Sequence, residues 1–291
     1  MPKTFITVGT FDGVHRGHKK LFTLLKREAK NLKLSPLALV FKMPPKNILN
    51  NNLEQSVLLD LKQKKELLKD IKTVYLDFNK IKNLSADDFF DLLLKKYKMG
   101  AIIVGKDFAF GKNRQGNIAF LREKCKQNNM QVFVIDFEEE GQSKISSSRL
   151  RAALKAGEIS VFNKMLGRNF ALEGKVIKGN QLGRQIGFPT ANLDICKEQI
   201  LPRGVFAVLV YHNGKKYKGI CNIGVKPTVA KNIVPTVEIF IFNFNQDIYG
   251  QILRAEFLQK IRDEKRFSGL DELTAQINID CAAAQKILLK F

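Results

Sequence analysis

The feature that most constrains the fold is an alternation, from the N-terminus to Ile135, of short apolar runs with amphipathic stretches. The runs are rich in β-branched and aromatic residues, which favour strands, and they span Thr4–Val8, Leu37–Phe41, Val74–Phe78, Ala101–Val104 and Val132–Ile135. The stretches between them have helical periodicity, and one of them, Asp87–Tyr97, follows a capping box of Ser85 and Asp88. Short strands joined through helices predict a doubly wound parallel α/β sheet.

The pattern changes after Gly167. Helical periodicity fades, and β-rich runs separated by turns such as His212-Asn213-Gly214 replace it. These runs are Phe170–Ile177, Val205–Tyr211, Lys216–Asn222 and Thr236–Phe242. They predict a mostly antiparallel sheet closed into a small β-barrel, with a C-terminal helix from about Leu270 to Leu289 packed on it. We therefore expect two domains, residues 1–160 and 161–291.

The net charge of +21 makes a non-enzymatic, nucleic-acid-binding protein an alternative to an enzyme. However, the lysines are spread along the chain, on predicted polar helix faces such as that of Leu61–Lys69, and no nucleic-acid module is present. We expect no specific nucleic-acid partner. The chain has no apolar stretch of the roughly 18 residues that a membrane span needs, no secretory signal and only isolated cysteines. A cytoplasmic protein without a membrane partner is predicted, and its oligomeric state stays open.

Two of the three histidines, His15 and His18, lie in one glycine-rich segment that joins the first strand to the first helix. In open α/β sheets this is where free backbone N–H groups and the helix dipole favour phosphates. A His-x-x-His pair is also typical of surface pairs and of partial metal sites. The remaining histidine, His212, is distant in sequence and no C-x-x-C pair occurs, so a phosphate site is favoured over a metal site.

A second polar concentration, Ser146, Ser147 and Ser148 with Arg149 and Arg151, precedes a short predicted helix that ends at Gly157. Plain N-capping needs one hydroxyl, whereas three hydroxyls with an arginine favour a second anion site. An acidic loop, residues 138–142, comes just before it.

The second half has its own polar segment, in which Gly179, Gly183 and Gly187 lead into Pro189-Thr190-Ala191-Asn192. It is not a Walker loop, but hydroxyl and amide oxygens can bind Mg²⁺ and phosphates without one. Glu238 is a lone carboxylate in an apolar strand. It is either hydrogen-bonded structurally or used as a base, and the pattern alone leaves the two readings even.

Taken together, these motifs resemble the bacterial bifunctional riboflavin kinase/FMN adenylyltransferases, the prokaryotic type of FAD synthetase. The resemblance spans essentially the whole chain and is carried by Gly9–His18, Val104–Gly111, Ile145–Arg151, Gly187–Asn192, Asn222–Thr228, Tyr249-Gly250 and Arg262–Phe267. It implies two reactions: a C-terminal module that transfers the γ-phosphoryl group of ATP to riboflavin, and an N-terminal module that transfers AMP from ATP to FMN.

The resemblance also implies roles for individual residues. His15 and His18 would stabilise the phosphates during adenylyl transfer, and Glu238 would be the general base of the kinase. The N-terminal ATP site would comprise Gly9, Phe11, Asp12, Gly13, Ser146, Ser147, Ser148 and Arg151. Flavin would contact Asp107, Arg262, Glu264 and Phe267. ATP phosphates in the kinase module would contact Gly183, Arg184, Gly187, Thr190 and Asn192, with Mg²⁺ on Thr190 and Asn192.

The chain departs from the family pattern mainly in its N-terminal half. After the second strand the family usually has an acidic residue and Pro-His-Pro, whereas this chain has Phe41-Lys42-Met43-Pro44-Pro45-Lys46-Asn47. The departure motivates an alternative in which the chain is a riboflavin kinase only, with a weakened or altered nucleotidylyltransferase domain.

Overall fold

The computed structural model describes residues 3–51, 57–136, 139–140, 143–179, 181–227 and 233–291. The chain divides into two compact units, Met1–Ser147 and Ser148–Phe291. Among the described residues, no helix has the length and apolar character required to cross a membrane.

The first unit is built on a parallel sheet of five strands: β1 (Thr4–Gly9), β2 (Ser35–Phe41), β3 (Thr73–Leu76), β4 (Met99–Gly105) and β5 (Gln131–Ile135). Their order is β3-β2-β1-β4-β5, and every neighbouring pair is parallel. The predicted doubly wound sheet is therefore confirmed. The third strand is shorter than expected, because Phe78 begins a one-turn 3₁₀ helix capped by the Asp77 carboxylate.

Helices cover both faces of this sheet, and they are α1 (Arg16–Asn31), α2 (Pro45–Leu49), α3 (Leu61–Leu67), α4 (Ala86–Lys95) and α5 (Ile118–Gln127). Successive strand residues point to opposite faces. Phe5 packs with Leu25 of α1 on one face, whereas Ile6 packs with Phe89 and Phe90 of α4 on the other. Helix α4 begins at the expected capping box, in which the Ser85 hydroxyl accepts from the backbone N–H of Asp88.

Lys64 corrects the expectation that the lysines of Leu61–Lys69 lie on a polar face. Its side chain is only 1% exposed, and its ammonium donates to the carbonyls of Thr10 at 3.1 Å, Phe41 at 3.4 Å and Lys42 at 3.3 Å. These carbonyls lie just after β1 and at the end of β2. The buried lysine therefore joins the ends of two neighbouring strands, and its bonds to the three carbonyls offset part of the cost of burying its charge.

The segment that links the sheet to the second unit contains a small hairpin, β6 (Glu139–Glu140) and β7 (Ser143–Lys144), followed by α6 (Ser147–Lys155). The rest of the expected acidic loop, residues 138, 141 and 142, lies outside the described residues. Ser147 and Ser148 are the first residues of α6 rather than residues that precede it.

The second unit is a closed antiparallel barrel, as expected. Its strands are β8 (Phe170–Ile177), β9 (Thr190–Asp194), β10 (Gly204–His212), β11 (Lys215–Pro227), β12 (Ile233–Ile241) and β13 (Ile252–Arg262), in the order β10-β11-β12-β9-β8-β13. Three helices accompany them: α7 (Ile159–Leu166), α8 (Leu182–Gln185) and α9 (Leu270–Leu288). Helix α9 packs outside the barrel, where Ala284 and Leu288 meet Val205 and Ile220.

Candidate active sites

The histidine segment lies where the parallel sheet changes its direction of winding. Strand β1 is central, and the chain builds β2 and β3 on one side of it before it crosses to β4 and β5 on the other. Open α/β sheets bind ligands in the crevice at such a switch point, beyond the carboxyl ends of the strands. The segment from Thr10 to His15, which joins β1 to α1, occupies that position.

His15 and His18 are brought together by the start of α1. His15 is the N-cap residue of the helix and its side chain is buried, whereas His18 lies one turn further on and is half-buried. Their rings stack with centroids 3.6 Å apart and an interplanar angle of 21°. Phe11 meets His18 edge-on at 5.2 Å. Two imidazoles at a helix N-terminus form a compact group of donors for an anion.

The loop that carries them is shaped by close packing and by unusual backbone angles. Phe11 and Val14 have φ values of 47° and 41°, and Gly13 has 81°. The Phe11 ring lies against Gly9, where an added Cβ atom would meet it at 3.0 Å, so Gly9 leaves room for this ring. Asp12 is 1% exposed, and its carboxylate accepts from the backbone N–H of Leu58 at 3.0 and 3.2 Å. Asp12 thus fixes the loop and is not a surface ligand.

The serine segment contacts the same loop through one hydroxyl. Ser147 Oγ donates to the backbone carbonyl of Asp12 at 3.2 Å. Ser146 is half-buried just before α6, while Ser148 and Arg151 lie on α6 itself. The Ser147 hydroxyl therefore donates a hydrogen bond within the first unit, and its oxygen keeps lone pairs that can accept further bonds.

Asp107 lies just after β4, the strand on the other side of the switch point from β2. Its carboxylate is exposed and pairs with Lys144 at 3.3 Å. Neighbouring Lys106 pairs instead with Asp136, at 2.5 Å. The hydrogen bond to Lys106, together with its positive charge, lowers the pKa of Asp136. Both acidic residues lie at the carboxyl-terminal edge of the sheet.

The barrel places its candidate residues in one row across five strands. Across neighbouring strands, Arg262 pairs with Val205, Val205 with Asn222, Asn222 with Glu238, and Glu238 with Asn192. Directly paired residues share a face of the sheet. Glu238 therefore lies between two asparagines, of which only Asn192 was expected as a site residue. Asn222 was not predicted as a site residue, although it begins the Asn222–Thr228 motif that carries the family resemblance.

Glu238 and Asn222 open into a pocket of about 190 Å³ between the barrel surface and α9. Other lining residues include Thr190, Arg262, Glu264 and Phe267. Glu238 is half-buried rather than buried, so its carboxylate does not carry the full cost of desolvation that the sequence suggested. On the adjacent strand, burial and then the charge of Glu238 raise the pKa of the Cys221 thiol.

The glycine-rich segment passes close to β9 because its glycines leave room for other atoms. An added Cβ atom at Gly179 would collide with the amide of Asn192, and one at Gly183 would collide with the carbonyl of Phe188. Gly187 has a φ of 85° and is exposed. Thr190 lines the pocket described above and also a second one, of about 320 Å³, together with Arg184 and Asn192. Thr190 is thus common to both cavities.

Thr190 and Asn192 are the residues that could hold a metal ion in the barrel. Their hydroxyl and amide oxygens are hard donors of the kind that Mg²⁺ accepts. Within the described part of the chain, no cluster of three or more His, Cys, Asp or Glu residues is arranged to hold a metal. A neutral donor pair fits a cation that also binds substrate phosphates, as Mg²⁺ usually does.

The segment after β13 encloses the smaller pocket. Glu264 Oε1 accepts from the backbone N–H of Val225 at 3.2 Å, and the guanidinium of Arg262 lies 5.6 Å from the centre of the Phe267 ring. Arg262 also forms an ion pair with Asp280 of α9, a residue that the sequence did not indicate. The three predicted flavin contacts of this segment therefore lie together at one cavity.

Comparison with known proteins covers both units. The family model described as FAD synthetase matches residues 1–149, and the model described as riboflavin kinase matches residues 166–288. A bifunctional riboflavin kinase/FMN adenylyltransferase of Buchnera aphidicola subsp. Schizaphis graminum is 36% identical over 290 residues, which cover 97% of this chain and 93% of that protein. The Bacillus subtilis and Escherichia coli K12 proteins of the same name are each 34% identical, and cover 96% and 97% of this chain and 90% and 91% of their own lengths.

A solved structure shares the whole architecture. The crystal structure of a Streptococcus pneumoniae protein described as a macrolide-efflux protein superposes with a TM-score of 0.88 at 30% identity. The match covers 98% of this chain and 95% of that one.

Proposed function

Since the chain belongs to the family of bifunctional riboflavin kinases/FMN adenylyltransferases, we propose that each of its two sites performs one of the family's two reactions. The protein is a riboflavin kinase and an FMN adenylyltransferase, and it makes FMN and then FAD. The assignment of one reaction to each unit is supported by one observation: the two sets of candidate residues assemble in different units. The histidine pair forms inside the first unit, and the row that contains Glu238 forms inside the second.

In the first unit, His15 and His18 act on the triphosphate of ATP. An oxygen of the FMN phosphate attacks the α-phosphorus, the bond from that phosphorus to the bridging oxygen breaks, and pyrophosphate leaves. Negative charge grows on the oxygens around the α-phosphorus and on the leaving group. The stacked imidazoles donate hydrogen bonds there, and the N-terminal dipole of α1 acts in the same direction.

The other residues of the loop after β1 shape this site. Gly9 and Phe11 form the floor of the loop, and Asp12 and Gly13 hold its turn. Ser147 ties the start of α6 to that turn, and Ser146 and Ser147 are assigned to the ATP phosphates because the family resemblance implies it. Ser148 and Arg151 of α6 are further ATP contacts that the family resemblance implies. Asp107 at the end of β4 is assigned to the FMN side of the reaction on the same ground.

In the second unit, Glu238 acts as general base. The 5′-hydroxyl oxygen of riboflavin attacks the γ-phosphorus of ATP, its proton passes to the Glu238 carboxylate, and the bond to ADP breaks. Asn222 and Asn192, which flank Glu238 in the row, offer amide groups that can orient the hydroxyl and the phosphate. Arg262, Glu264 and Phe267 line the same pocket and hold the flavin.

The glycine-rich segment binds the phosphates of this second ATP. Gly183 and Gly187 allow the backbone to approach them, and Arg184 supplies a positive charge beside Thr190 and Asn192. We place Mg²⁺ on the oxygens of Thr190 and Asn192. When bound there, the ion would neutralise phosphate charge.

The surroundings of the enzyme follow from its substrates. Its partners are ATP, riboflavin and FMN, and we propose a cytoplasmic location without a membrane or a specific nucleic-acid partner. The four isolated cysteines support a reducing compartment. The charge of +21 serves encounter with anionic nucleotides rather than a separate binding function.

A time course with riboflavin, ATP and varied Mg²⁺ tests this function. Chromatography of the flavins is expected to show FMN first and FAD later, with both products lost when the metal is chelated. A second reaction, started from FMN and ATP, isolates the adenylyl step. FMN without any FAD would favour the kinase-only alternative and would point to the Phe41–Asn47 segment, whereas no FMN at all would contradict the proposal.

A further inference from the structure

We propose that Asp280 of α9 is a positioning residue for the riboflavin site, because it fixes the guanidinium of Arg262 at the edge of the 190 Å³ pocket. The inference rests on the proposed kinase function and adds a residue to it. Asp280 is 1% exposed. It lies on α9 and lines the same pocket as Glu238.

The bonds between the two side chains are short and cover one edge of the guanidinium. Arg262 Nε donates to Asp280 Oδ1 at 2.9 Å and to Oδ2 at 3.0 Å, and NH2 donates to Oδ2 at 2.8 Å. Gln276, one turn earlier in α9, donates to Oδ1 at 3.0 Å. A bidentate pair of this kind fixes both the position and the plane of the arginine.

The remaining donors of Arg262 are then directed by this arrangement. NH1 donates to the carbonyl of Asp263 at 2.9 Å, so three of the five guanidinium N–H groups are used. One N–H group remains on each terminal nitrogen. Because Arg262 lines the pocket and Phe267 lies 5.6 Å from the centre of its guanidinium, the remaining donors suit a planar ligand with carbonyl acceptors, which the flavin ring system is.

Packing alone does not account for this carboxylate. The neighbouring face of α9 meets the barrel through Ala284 and Leu288, and an apolar residue at position 280 would pack there without the cost of burying a charge. The arginine side chain, in contrast, is still 21% exposed. The ion pair thus joins a buried carboxylate to a partly exposed arginine, and both side chains line the pocket, which suits a group that holds an arginine for a ligand.

Asp280→Asn tests this inference, because the amide has nearly the same shape but lacks the charge and one acceptor. We expect the KM for riboflavin to rise about 10- to 100-fold, the range for a lost charge-assisted hydrogen bond. The kcat of the kinase and its KM for ATP should change much less. Riboflavin binding, followed by quenching of its fluorescence, should weaken in parallel.

Matched variants separate positioning from folding. Asp271→Asn makes the same change at an exposed position in the first turn of α9 and should leave the KM for riboflavin unchanged. Asp280→Glu keeps the charge and should recover part of the affinity. Gln276→Ala leaves the ion pair in place and should raise the KM about 2- to 10-fold, so it serves if Asp280→Asn does not fold. FAD formation from FMN, a reaction of the first unit, should be unchanged in every variant.

The outcomes distinguish this inference from the proposed function. A wild-type protein that forms no FMN would refute the kinase assignment itself. A wild-type protein that forms FMN, with an Asp280→Asn variant of unchanged riboflavin KM, would overturn only the role of Asp280. A fall of the kinase kcat with unchanged KM values for riboflavin and ATP would also overturn it, because a loss of folded protein produces that result.

Discussion

The imidazole rings of His15 and His18 stack at 3.6 Å with an interplanar angle of 21°, and this contact joins the N-cap of α1 to its first turn. Each ring therefore limits the movement of the other. A pair held in this way would reach the phosphates of ATP as one unit, since neither imidazole can turn away without losing the stack. The proposed adenylyl site would thus depend on the helix start as much as on either histidine.

The stack predicts non-additive effects of histidine substitution. His15→Ala and His18→Ala should each slow FAD formation from FMN by about 10²- to 10³-fold, the cost of one lost donor to a developing charge. The double variant should be slowed by much less than the product of the two factors, because each single change already disturbs the other ring. Single-turnover rates of the three variants measure the coupling, and strictly multiplicative effects would show that the histidines act independently.

Lys64 should be required for the same site without touching substrate. Lys64→Met leaves the carbonyls of Thr10, Phe41 and Lys42 without their shared donor, at a cost of about 1–3 kcal/mol. We expect a lower Tm and slower FAD formation, with the kinase reaction retained. Lys65→Met, at an exposed position of the same helix, is the control. Identical behaviour of the two variants in calorimetry and in the FAD assay would refute the role of Lys64.

The cysteines should differ sharply in reactivity. Burial raises the pKa of Cys125 to about 11, and burial followed by the charge of Asp280 does the same for Cys281. At pH 8 such a thiol is a thiolate in only about one molecule in a thousand, and Cys221 is wholly buried with a raised pKa. We expect a thiol reagent to label Cys196, which is exposed, and Cys196→Ser to abolish rapid labelling of the native protein. Rapid native labelling of Cys125 or Cys221 would contradict this burial.

Glu272 should contribute stability that depends on pH. Hydrogen bonds from Lys265 and from the Ser268 backbone and hydroxyl lower its pKa to about 2. Because the folded-state pKa is depressed, the contribution is complete above the unfolded value near 4.5 and is lost as the pH falls toward 2. The Tm difference between wild type and Glu272→Gln should therefore be present at pH 6 and vanish near pH 2. Glu158→Gln, at an exposed residue, is the control, and a constant difference across this range would contradict the prediction.

The architecture could be predicted from the sequence because apolar residues recur at regular spacings in both domains. The strands of the parallel sheet are short apolar runs between helices, and the barrel strands β8, β10, β11 and β12 alternate or are wholly apolar. Two barrel strands were missed. Strand β9 is five residues long and follows a Gly-Phe-Pro turn signal, and β13 carries charged residues such as Arg254 and Glu256 along its length.

Only part of the candidate sites could be predicted from the sequence, because strand register and side-chain burial depend on the tertiary structure. The histidine loop and Glu238 have clear local signals. Asn222, by contrast, becomes a neighbour of Glu238 only through the pairing of β11 with β12. In the sequence, Lys64 and Asp280 resemble surface residues of amphipathic helices. Only the tertiary structure shows that Lys64 is buried against the ends of β1 and β2 and that Asp280 lines the pocket beside Arg262. The hydrogen bond from the Ser147 hydroxyl to the Asp12 carbonyl is also a tertiary contact that the sequence does not indicate.

In the proposed function, one chain carries two chemically separate sites. The most direct measurement compares His18→Ala and Glu238→Gln with the wild type in two assays: FMN formation from riboflavin and FAD formation from FMN. We expect His18→Ala to lose FAD formation and keep FMN formation, and Glu238→Gln to lose FMN formation and keep FAD formation. If either substitution removes both activities from a folded protein, the two reactions do not occupy the separate sites described for the two units.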